Sequence, residues 1–294
     1  MKENLEKVKL LARDLRNGEV PMKLGMKGVI MDLQLSGKLA LVTGSTAGIG
    51  LAIGSTLAGE GATVIINGRS EKRVTEAIRK IRQQHPHGKL EALIGDLSKG
   101  EAVKQATSSF PRVDVLINNL GIYEIKSFEN MLDEDWAAII ETNFMSGVRL
   151  SRHYLPKMKA KNWGRVIFIS SESAINIPVE MIHYGVTKTM QLALARGLAE
   201  TTAGTGVTVN SILPGPTRSE GVEGFVSHMA KSRNVEQSVV EKEFFETIRP
   251  SSLLKRFATP EEVATLVAFV ASPLSSATNG TALRVDGGVV RSIM

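Results

Sequence analysis

The fold is decided by the stretch Leu39-Ala-Leu-Val-Thr-Gly-Ser-Thr-Ala-Gly-Ile-Gly50. Its apolar start predicts a buried strand, and the segment from Leu51 to Gly59 predicts a helix. Glycines at 44, 48 and 50 let the backbone come close to a phosphate group at the start of that helix. Their spacing differs from the G-x-G-x-x-G pattern, and a glycine-rich turn of this kind also occurs without any ligand. The stretch therefore predicts a strand, a turn and a helix, with a candidate anion site at the turn.

Strand and helix patterns alternate along the rest of the chain. Further strands are predicted at 62–66, 90–94, 113–117, 165–170, 207–212 and 281–285. Helices are predicted at 71–84, between the third and fourth strands, at 133–159 as one helix or two in succession, and at 184–203. This alternation predicts one α/β domain over residues 35–294, with a doubly wound parallel sheet covered by helices on both faces.

Residues 1–34 form an N-terminal extension that differs from the rest. Leu5, Val8 and Leu11 recur at near-helical spacing, and glycines and Pro21 then interrupt the pattern. Two interpretations compete. The extension is an appendage that packs on the body or on a partner, or it results from a start codon assigned too early. We prefer the second, because Met31 stands where the domain pattern begins.

A second irregular segment covers about residues 217–250. It is polar and charged and follows the sixth predicted strand, at the sheet edge where ligands bind in such folds. We expect a mobile lid over the substrate, with a surface loop as the alternative. Phe225, Met229, Phe244 and Phe245 either contact a moderately apolar substrate or anchor the lid to the core.

Composition excludes several classes of protein. With 294 residues, 43% hydrophobic and 22% charged, the chain is ordinary for a soluble globular protein. We expect no membrane span, because apolar runs are strand-sized, and no disulfide or thiol chemistry, because cysteine is absent. The net charge is +6, and the basic residues are interleaved with acidic ones along the chain. This pattern favours solvated faces over nucleic-acid binding. His85 and His87 lack further ligands, so no metal site is predicted. A cytoplasmic location fits these features.

A candidate proton-transfer site lies between Ser171 and Lys188. Tyr184 and Lys188 are four residues apart and share one face of the predicted helix. The ammonium group is expected to lower the phenol pKa from its usual value of about 10. Such a pair alone is weak evidence, but Ser171 stands thirteen residues before Tyr184 at a strand end. Ser170, the nearest rival, would point to the opposite face of the strand.

With these motifs, residues 35–289 resemble the short-chain dehydrogenase/reductase family, above all members known as 3-oxoacyl-carrier-protein reductases. The resemblance implies a Rossmann fold and four catalytic residues. Tyr184 would donate a proton to a carbonyl oxygen that Ser171 orients. Lys188 would bind the nicotinamide ribose, and Asn143 would hold a water molecule in a proton relay.

The resemblance also implies a nicotinamide cofactor. The second strand ends at Asn67-Gly68-Arg69 without an acid, and the Arg69 guanidinium can bind a 2′-phosphate that a carboxylate would repel. NADP is therefore preferred over NAD, although Ala47 stands where many NADP-using relatives carry a basic residue. Leu120 replaces the small alanine of the family pattern, which puts the local packing in question. The other implied cofactor contacts are Gly44, Ser45, Gly48, Ile49, Gly50, Asp96, Leu97, Asn119, Gly121, Tyr184, Lys188, Pro214, Gly215 and Thr217.

The leading functional hypothesis is an NADPH-dependent carbonyl reductase that resembles 3-oxoacyl-carrier-protein reductases and acts on a small-molecule ketone or alcohol. One alternative is a dehydrogenase of sugars, polyols or other alcohols. Another is a nucleotide-binding regulator without catalysis, against which the complete set of four catalytic residues argues. The resemblance also implies a homo-oligomer, commonly a tetramer, built through helices near 133–160 and 181–203 and the last strand.

Overall fold

The fold is described from a computed structural model, which describes residues 31–293, except the side chain of Phe225. The chain divides into two units, residues 1–32 and 33–294. Nearly all of the predicted extension at 1–34 lies outside the described residues. The description below therefore concerns the second unit.

The second unit contains a seven-stranded sheet in which all neighbouring strands are parallel. The strand order is β3-β2-β1-β4-β5-β6-β7, which confirms the predicted doubly wound sheet. The order reverses between β1 and β4, so the loops that follow these two strands flank one crevice. The strands are β1 (Leu39–Val42), β2 (Thr63–Gly68), β3 (Lys89–Ile94), β4 (Val115–Asn118), β5 (Gly164–Ile169), β6 (Val207–Pro214) and β7 (Ala282–Val285).

Nine α-helices accompany these strands within residues 31–293. They are α1 (Gly48–Gly59), α2 (Glu71–Gln84), α3 (Gly100–Ser109), α4 (Asp133–Ile140), α5 (Ser146–Lys161), α6 (Ile182–Glu200), α7 (Glu220–Arg233), α8 (Gln237–Glu243) and α9 (Pro260–Ala271). Helices α1, α2 and α9 bury apolar side chains in one core cluster with the sheet, and α3, α5 and α6 do so in a second cluster. The predicted helices on both faces are thus confirmed.

Strands β1 to β6 contribute residues to both clusters, and β7 packs against the first alone. In β1, Ala40 and Val42 belong to the first cluster and Leu41 to the second. This is the two-residue period of a strand that is buried on both faces, and it explains why these strands read as continuous apolar runs. Arg165 in β5 is buried too, and its guanidinium donates to the carbonyl oxygens of Gly164, Gly206 and Ser272.

The helical pattern predicted at 133–159 is two helices, the second of the two alternatives. Between α4 and α5 the chain forms a π-helical segment, Glu141–Met145, with one extra residue in its hydrogen-bonded turn. Asn143 is the buried residue of this segment. Such π-segments occur frequently at functional sites, and this one lies in the part of the chain that carries a predicted catalytic residue.

The predicted lid is largely helical. Helices α7 and α8 are followed by a second π-helical segment, Phe244–Ile248. Phe245 is buried in a separate apolar cluster, and Met229 packs against that cluster. They pack in a cluster separate from the two clusters at the sheet, so contact with a substrate and anchoring to the core both stay predictions for these two side chains. The other buried members of the lid cluster are Val226, Ala230, Val240 and Phe257.

Candidate active site

The glycine-rich turn joins β1 to α1 at the crevice. Gly44 and Gly48 have positive φ angles of 62° and 53°, which side chains rarely tolerate. At Gly50, an added Cβ would lie 2.5 Å from the carbonyl oxygen of Gly44 and 2.5 Å from Nδ2 of Asn119. No side chain caps the start of α1 at Ala47. The backbone N–H groups at this helix start are therefore a suitable site for an anion.

Asn119 joins the carboxyl ends of β1 and β4. Its Nδ2 donates to the carbonyl oxygens of Thr43 (2.9 Å) and Gly44 (3.1 Å), and its backbone N–H donates to the Thr43 hydroxyl. The backbone N–H of Leu120 donates to the same hydroxyl at 2.9 Å. The Leu120 side chain packs against the second core cluster. Leu120 therefore fits at the position where the family pattern has alanine, and no polar contact is lost.

Ser45 and Asn67 connect the glycine-rich turn to β2 by hydrogen bonds. The Ser45 hydroxyl donates to the Val42 carbonyl oxygen (2.8 Å) and accepts from the Asn67 N–H (2.9 Å). The Asn67 side chain accepts from the Gly44 N–H at 3.0 Å. Ser45 is fully buried and its backbone N–H donates to the Asn67 carbonyl oxygen at 2.9 Å, so its expected cofactor contact stays a prediction. Asn67 was not among the predicted site residues. Its position at the end of β2, next to the glycine-rich turn, could have indicated its role.

Arg69 follows β2 and is exposed. Within residues 31–293 its guanidinium forms no ion pair, whereas Arg73 pairs with Glu220 of α7 at 3.0 Å. Arg69 is thus available for an anionic ligand. Further along the same edge, Asp96 accepts hydrogen bonds from the backbone and hydroxyl of Ser98. Leu97 is buried in the second cluster, and its expected cofactor contact stays a prediction.

The structure brings Ser171 and Tyr184 together. Ser171 follows β5 and caps a short 3₁₀ turn, where its hydroxyl accepts from the Ser173 N–H at 3.1 Å. The Ser171 side chain also acts on the phenol of Tyr184 on α6, since it opposes the rise in the phenol pKa. Ser170 has a different role, since its hydroxyl donates to the backbone oxygen of Lys188. The pair Ser171 and Tyr184 can act on one substrate oxygen.

Lys188 lies one helical turn after Tyr184. Its Nζ donates to the carbonyl oxygen of Ile169 at 2.9 Å and lies 5.5 Å from the centre of the Tyr184 ring. Gly121 borders this amine, because an added Cβ there would lie 3.5 Å from Nζ. The same Cβ would lie 3.5 Å from Oδ1 of Asn143. The loop that follows β4 therefore lies next to the Lys188 amine.

Asn143 connects that loop to α6. Its Oδ1 accepts from the Ile122 N–H (2.7 Å), and its Nδ2 donates to the Ile122 carbonyl oxygen (2.9 Å) and the Thr187 hydroxyl (3.1 Å). Its backbone oxygen accepts from the Gln191 side chain. Thr187 and Gln191 were not predicted as site residues, although their spacing of four residues places both on one face of a helix. The water-holding role expected of Asn143 stays a prediction.

Burial has the largest effect on the pKa values of Tyr184 and Lys188. Burial raises the pKa of Tyr184 to about 12, with the charges of Glu172 and Tyr123 adding to the effect and the Ser171 hydrogen bond opposing it. Burial lowers the pKa of Lys188 to about 7. The prediction that the lysine lowers the pKa of the phenol is therefore wrong for this structure. The cost of charging a buried phenol outweighs the attraction of an amine that is itself only partly charged at neutral pH.

A cavity of about 660 Å³ opens beside Ser171 and Tyr184. Gly215 and Pro216, which follow β6, form part of its wall, and Thr217 turns its hydroxyl to the Gly215 carbonyl oxygen at 2.9 Å. An added Cβ at Gly215 would lie 2.5 Å from the backbone of Asp286, so glycine is required there. The lid and the loops after β4 and β5 supply the other lining residues, among them Tyr123, Ile125, Glu172, Glu180, Val222, Phe244, Ile248 and Arg249.

Another ionisable side chain, His183, precedes Tyr184 on α6. His183 is buried and meets the ring of Trp136 edge to face at 6.0 Å, so it belongs to helix packing. Within residues 31–293, no group of three or more His, Asp or Glu side chains is placed to hold a metal ion. No helix in that same part of the chain is long and apolar enough to cross a membrane.

The family model described as short chain dehydrogenase matches residues 38–230, which include the glycine turn, Ser171, Tyr184 and Lys188. This chain belongs to the short-chain dehydrogenase/reductase family. As an oxidoreductase of this family it acts on CH–OH groups. It is 49% identical to the uncharacterized oxidoreductase YvaG of Bacillus subtilis over 263 residues, or 90% of this chain and all of that protein.

Two further relatives carry more specific names. The short-chain dehydrogenase is 32% identical over 262 residues to 3-oxoacyl-[acyl-carrier-protein] reductase of Aquifex aeolicus, covering 88% of this chain and all of that one. Its fold matches L-sorbose reductase of Gluconobacter frateurii, solved with NADPH and L-sorbose, with a TM-score of 0.83 and 30% identity. That match covers 90% of this chain and all of the reductase.

The close contacts at Gly50 generate a first prediction for this dehydrogenase. Gly50→Ala forces the turn away from Asn119, and we expect a loss of about 1–3 kcal/mol in the free energy of unfolding together with weaker NADPH binding. Gly197→Ala, an exposed helical position where an added Cβ meets nothing within 4 Å, is the control and should be neutral or stabilising. Urea unfolding and fluorescence titration measure both. Equal behaviour of the two variants would contradict the assigned role of Gly50.

The lowered pKa of Lys188 generates a second prediction. Between pH 7 and 10.5 the unfolded chain holds a proton on this lysine that the folded chain has released, so stability rises with pH in this window. Compared with Lys188→Met, the wild type should gain up to about 1.4 kcal/mol of stability per pH unit between pH 7 and 9.5. Chemical unfolding at several pH values measures the difference. A difference that is independent of pH would refute the lowered pKa.

Proposed function

We propose that the protein is an NADP(H)-dependent oxidoreductase that interconverts a ketone and a secondary alcohol. The observation that carries the proposal is the position of Ser171 and Tyr184 together on the wall of one cavity. Lys188 stands behind this pair, and the glycine-rich turn lies at the same edge of the sheet. A proton donor and a nucleotide site therefore face the same crevice, as a hydride-transfer enzyme requires.

The protein's own part in the reaction is proton transfer. With a pKa of about 12, Tyr184 holds its proton at neutral pH and can donate it to a carbonyl oxygen in the cavity. The Ser171 hydroxyl orients and polarises that oxygen. Lys188, with a pKa of about 7, can give or take a proton at neutral pH and can restore the phenol. NADPH, when bound, supplies the hydride for the carbonyl carbon.

The residues at the crevice fit a dinucleotide. The uncapped start of α1 and the glycines at 44, 48 and 50 would hold the pyrophosphate. Arg69 would hold the 2′-phosphate, since it is exposed and unpaired among the described residues. The binding of NADPH by the L-sorbose reductase supports this choice of cofactor over NAD.

The lid assignment of residues 217–250 also belongs to this proposal. Val222, Phe244 and Ile248 line the cavity, so α7 and the segment after α8 cover the reacting groups. Phe244 both faces the cavity and packs against Phe245 at 5.0 Å between ring centres. It thus combines the two roles that the sequence left open.

The relatives support more than one substrate class. The Aquifex aeolicus protein is named as a 3-oxoacyl-[acyl-carrier-protein] reductase, in line with our leading hypothesis. The L-sorbose reductase supports the sugar or polyol alternative. The non-catalytic regulator has no support from the site, since the proton-transfer groups lie within reach of one another. A tetramer stays a prediction from the family resemblance, and a cytoplasmic location stays a prediction from composition.

The role of Tyr184 can be tested directly. We expect Tyr184→Phe to lower kcat for carbonyl reduction by at least about a hundredfold, because the proton donor is lost, with NADPH affinity nearly unchanged. Tyr154→Phe removes a buried hydroxyl that donates to the Phe110 carbonyl oxygen, far along the chain from the site, and should retain kcat. NADPH oxidation and fluorescence titration supply both readouts. Retained turnover in Tyr184→Phe would disprove the assignment of the proton donor.

The cofactor preference can be tested at Arg69. Arg69→Gln should weaken NADPH binding about tenfold or more and leave NADH binding unchanged, because only the 2′-phosphate meets the guanidinium. Arg82→Gln, an exposed arginine in the last turn of α2, is the matched control and should change neither constant. Titration with both nucleotides measures the effect. Equal weakening of NADH and NADPH would count against the assigned contact.

A further inference from the structure

Glu172 is a buried carboxylate on the wall of the substrate cavity, directly after Ser171. Its side chain is 4% exposed, and Oε1 accepts from Nε of Arg249 at 2.9 Å. Its second oxygen, Oε2, is buried and receives no hydrogen bond from any described residue. A buried charged acceptor without a donor is costly, so the position is one where a ligand group is expected to complete the hydrogen bonding.

Arg249 holds this carboxylate from the far end of the lid. Its side chain is 10% exposed, it donates from Nη1 to the Ile248 carbonyl oxygen at 3.0 Å, and Nη1 lies 3.9 Å from Glu180. Glu180 also lines the cavity. Two carboxylates and one guanidinium give this wall a formal charge of −1. The wall therefore disfavours a substrate that carries a carboxylate or phosphate near the reacting carbonyl.

The group that meets Oε2 must be a hydrogen-bond donor, because an ionised carboxylate only accepts. An ammonium group would donate, but it would also stand close to the Arg249 cation. A hydroxyl group donates to the carboxylate, adds no charge and can accept from the guanidinium in turn. The chemistry of the wall thus selects a neutral hydroxyl.

We propose that Glu172, held in place by Arg249, binds a hydroxyl group of the substrate, and that the enzyme acts on hydroxylated ketones of the keto-sugar and polyol class. This inference rests on the proposed function and decides among its substrate classes. A volume of about 660 Å³ accommodates a ligand of that size. Simple ketones and 3-oxoacyl thioesters leave Oε2 without a donor, so the same wall selects against them.

The test compares ketones of equal chain length with and without hydroxyl groups. Purified full-length protein with saturating NADPH is assayed on L-sorbose, D-fructose, 2-hexanone, acetoacetate and an acetoacetyl thioester. We expect kcat/KM for at least one ketose to exceed that for 2-hexanone by about tenfold or more, and turnover of the anionic acetoacetate to be lowest. This wild-type comparison tests the inference even if a variant fails to fold.

The role of Glu172 is tested by Glu172→Gln, which keeps the shape and the contact with Arg249 but removes the charged acceptor. We expect the ratio of kcat/KM for the ketose to that for 2-hexanone to fall about tenfold, because a charge-assisted hydrogen bond is lost. Both ketones use Tyr184, so any change in proton transfer cancels in the ratio. Glu246→Gln, an exposed lid position paired with Lys242, is the control and should keep the wild-type ratio.

Each other outcome overturns a defined part of the inference. Preference for 2-hexanone or the thioester over both ketoses overturns the substrate class and leaves the proposed function standing. Preference for a ketose with an unchanged ratio in folded Glu172→Gln overturns the role of that residue. No turnover of any of the five compounds by protein that binds NADPH overturns the proposed function and this inference together.

Discussion

The side chain of Asn119 is the contact on which the rest of the site depends. It holds the ends of β1 and β4 together through the carbonyl oxygens of Thr43 and Gly44. These strands flank the point where the sheet order reverses, so the contact sets the position of the glycine turn on one side. On the other side it sets the start of the loop that carries Gly121 to Lys188 and Asn143. The side chain of Asn119 thus supports both the candidate nucleotide site and the candidate proton-transfer site.

Burial controls the chemistry of that second site. Tyr184 and Lys188 both prefer their neutral forms, because Lys188 is buried and the half-buried Tyr184 phenol has lost part of its contact with water. The phenol is therefore a proton donor at neutral pH, and the amine titrates in the range where it can replace the proton. Glu172 adds a negative charge beside them, which opposes the ionisation of Tyr184.

The lid and the catalytic turn are joined through a buried charge pair. Arg249 and Glu172 are 77 residues apart in the chain. Arg249 lies at the end of the segment predicted as a lid, and Glu172 directly follows Ser171. Because an uncompensated buried charge costs several kcal/mol, each residue requires the other in place. The position of the Glu172 carboxylate on the cavity wall therefore depends on the end of the predicted lid segment. The apolar cluster around Phe245 gives the lid a core of its own.

The sequence by itself determined the doubly wound sheet, the order of its strands and helices, and the candidates Ser171, Tyr184 and Lys188. Those features follow from local periodicity, from glycines that the backbone requires and from short spacings along one helix. Only the tertiary structure decided the direction of the Tyr184 pKa, the inward-turned side chains of Ser45 and Leu97, and the pairing of Glu172 with Arg249. Burial and charge pairing depend on residues brought together from distant parts of the chain, and no local pattern contains that information.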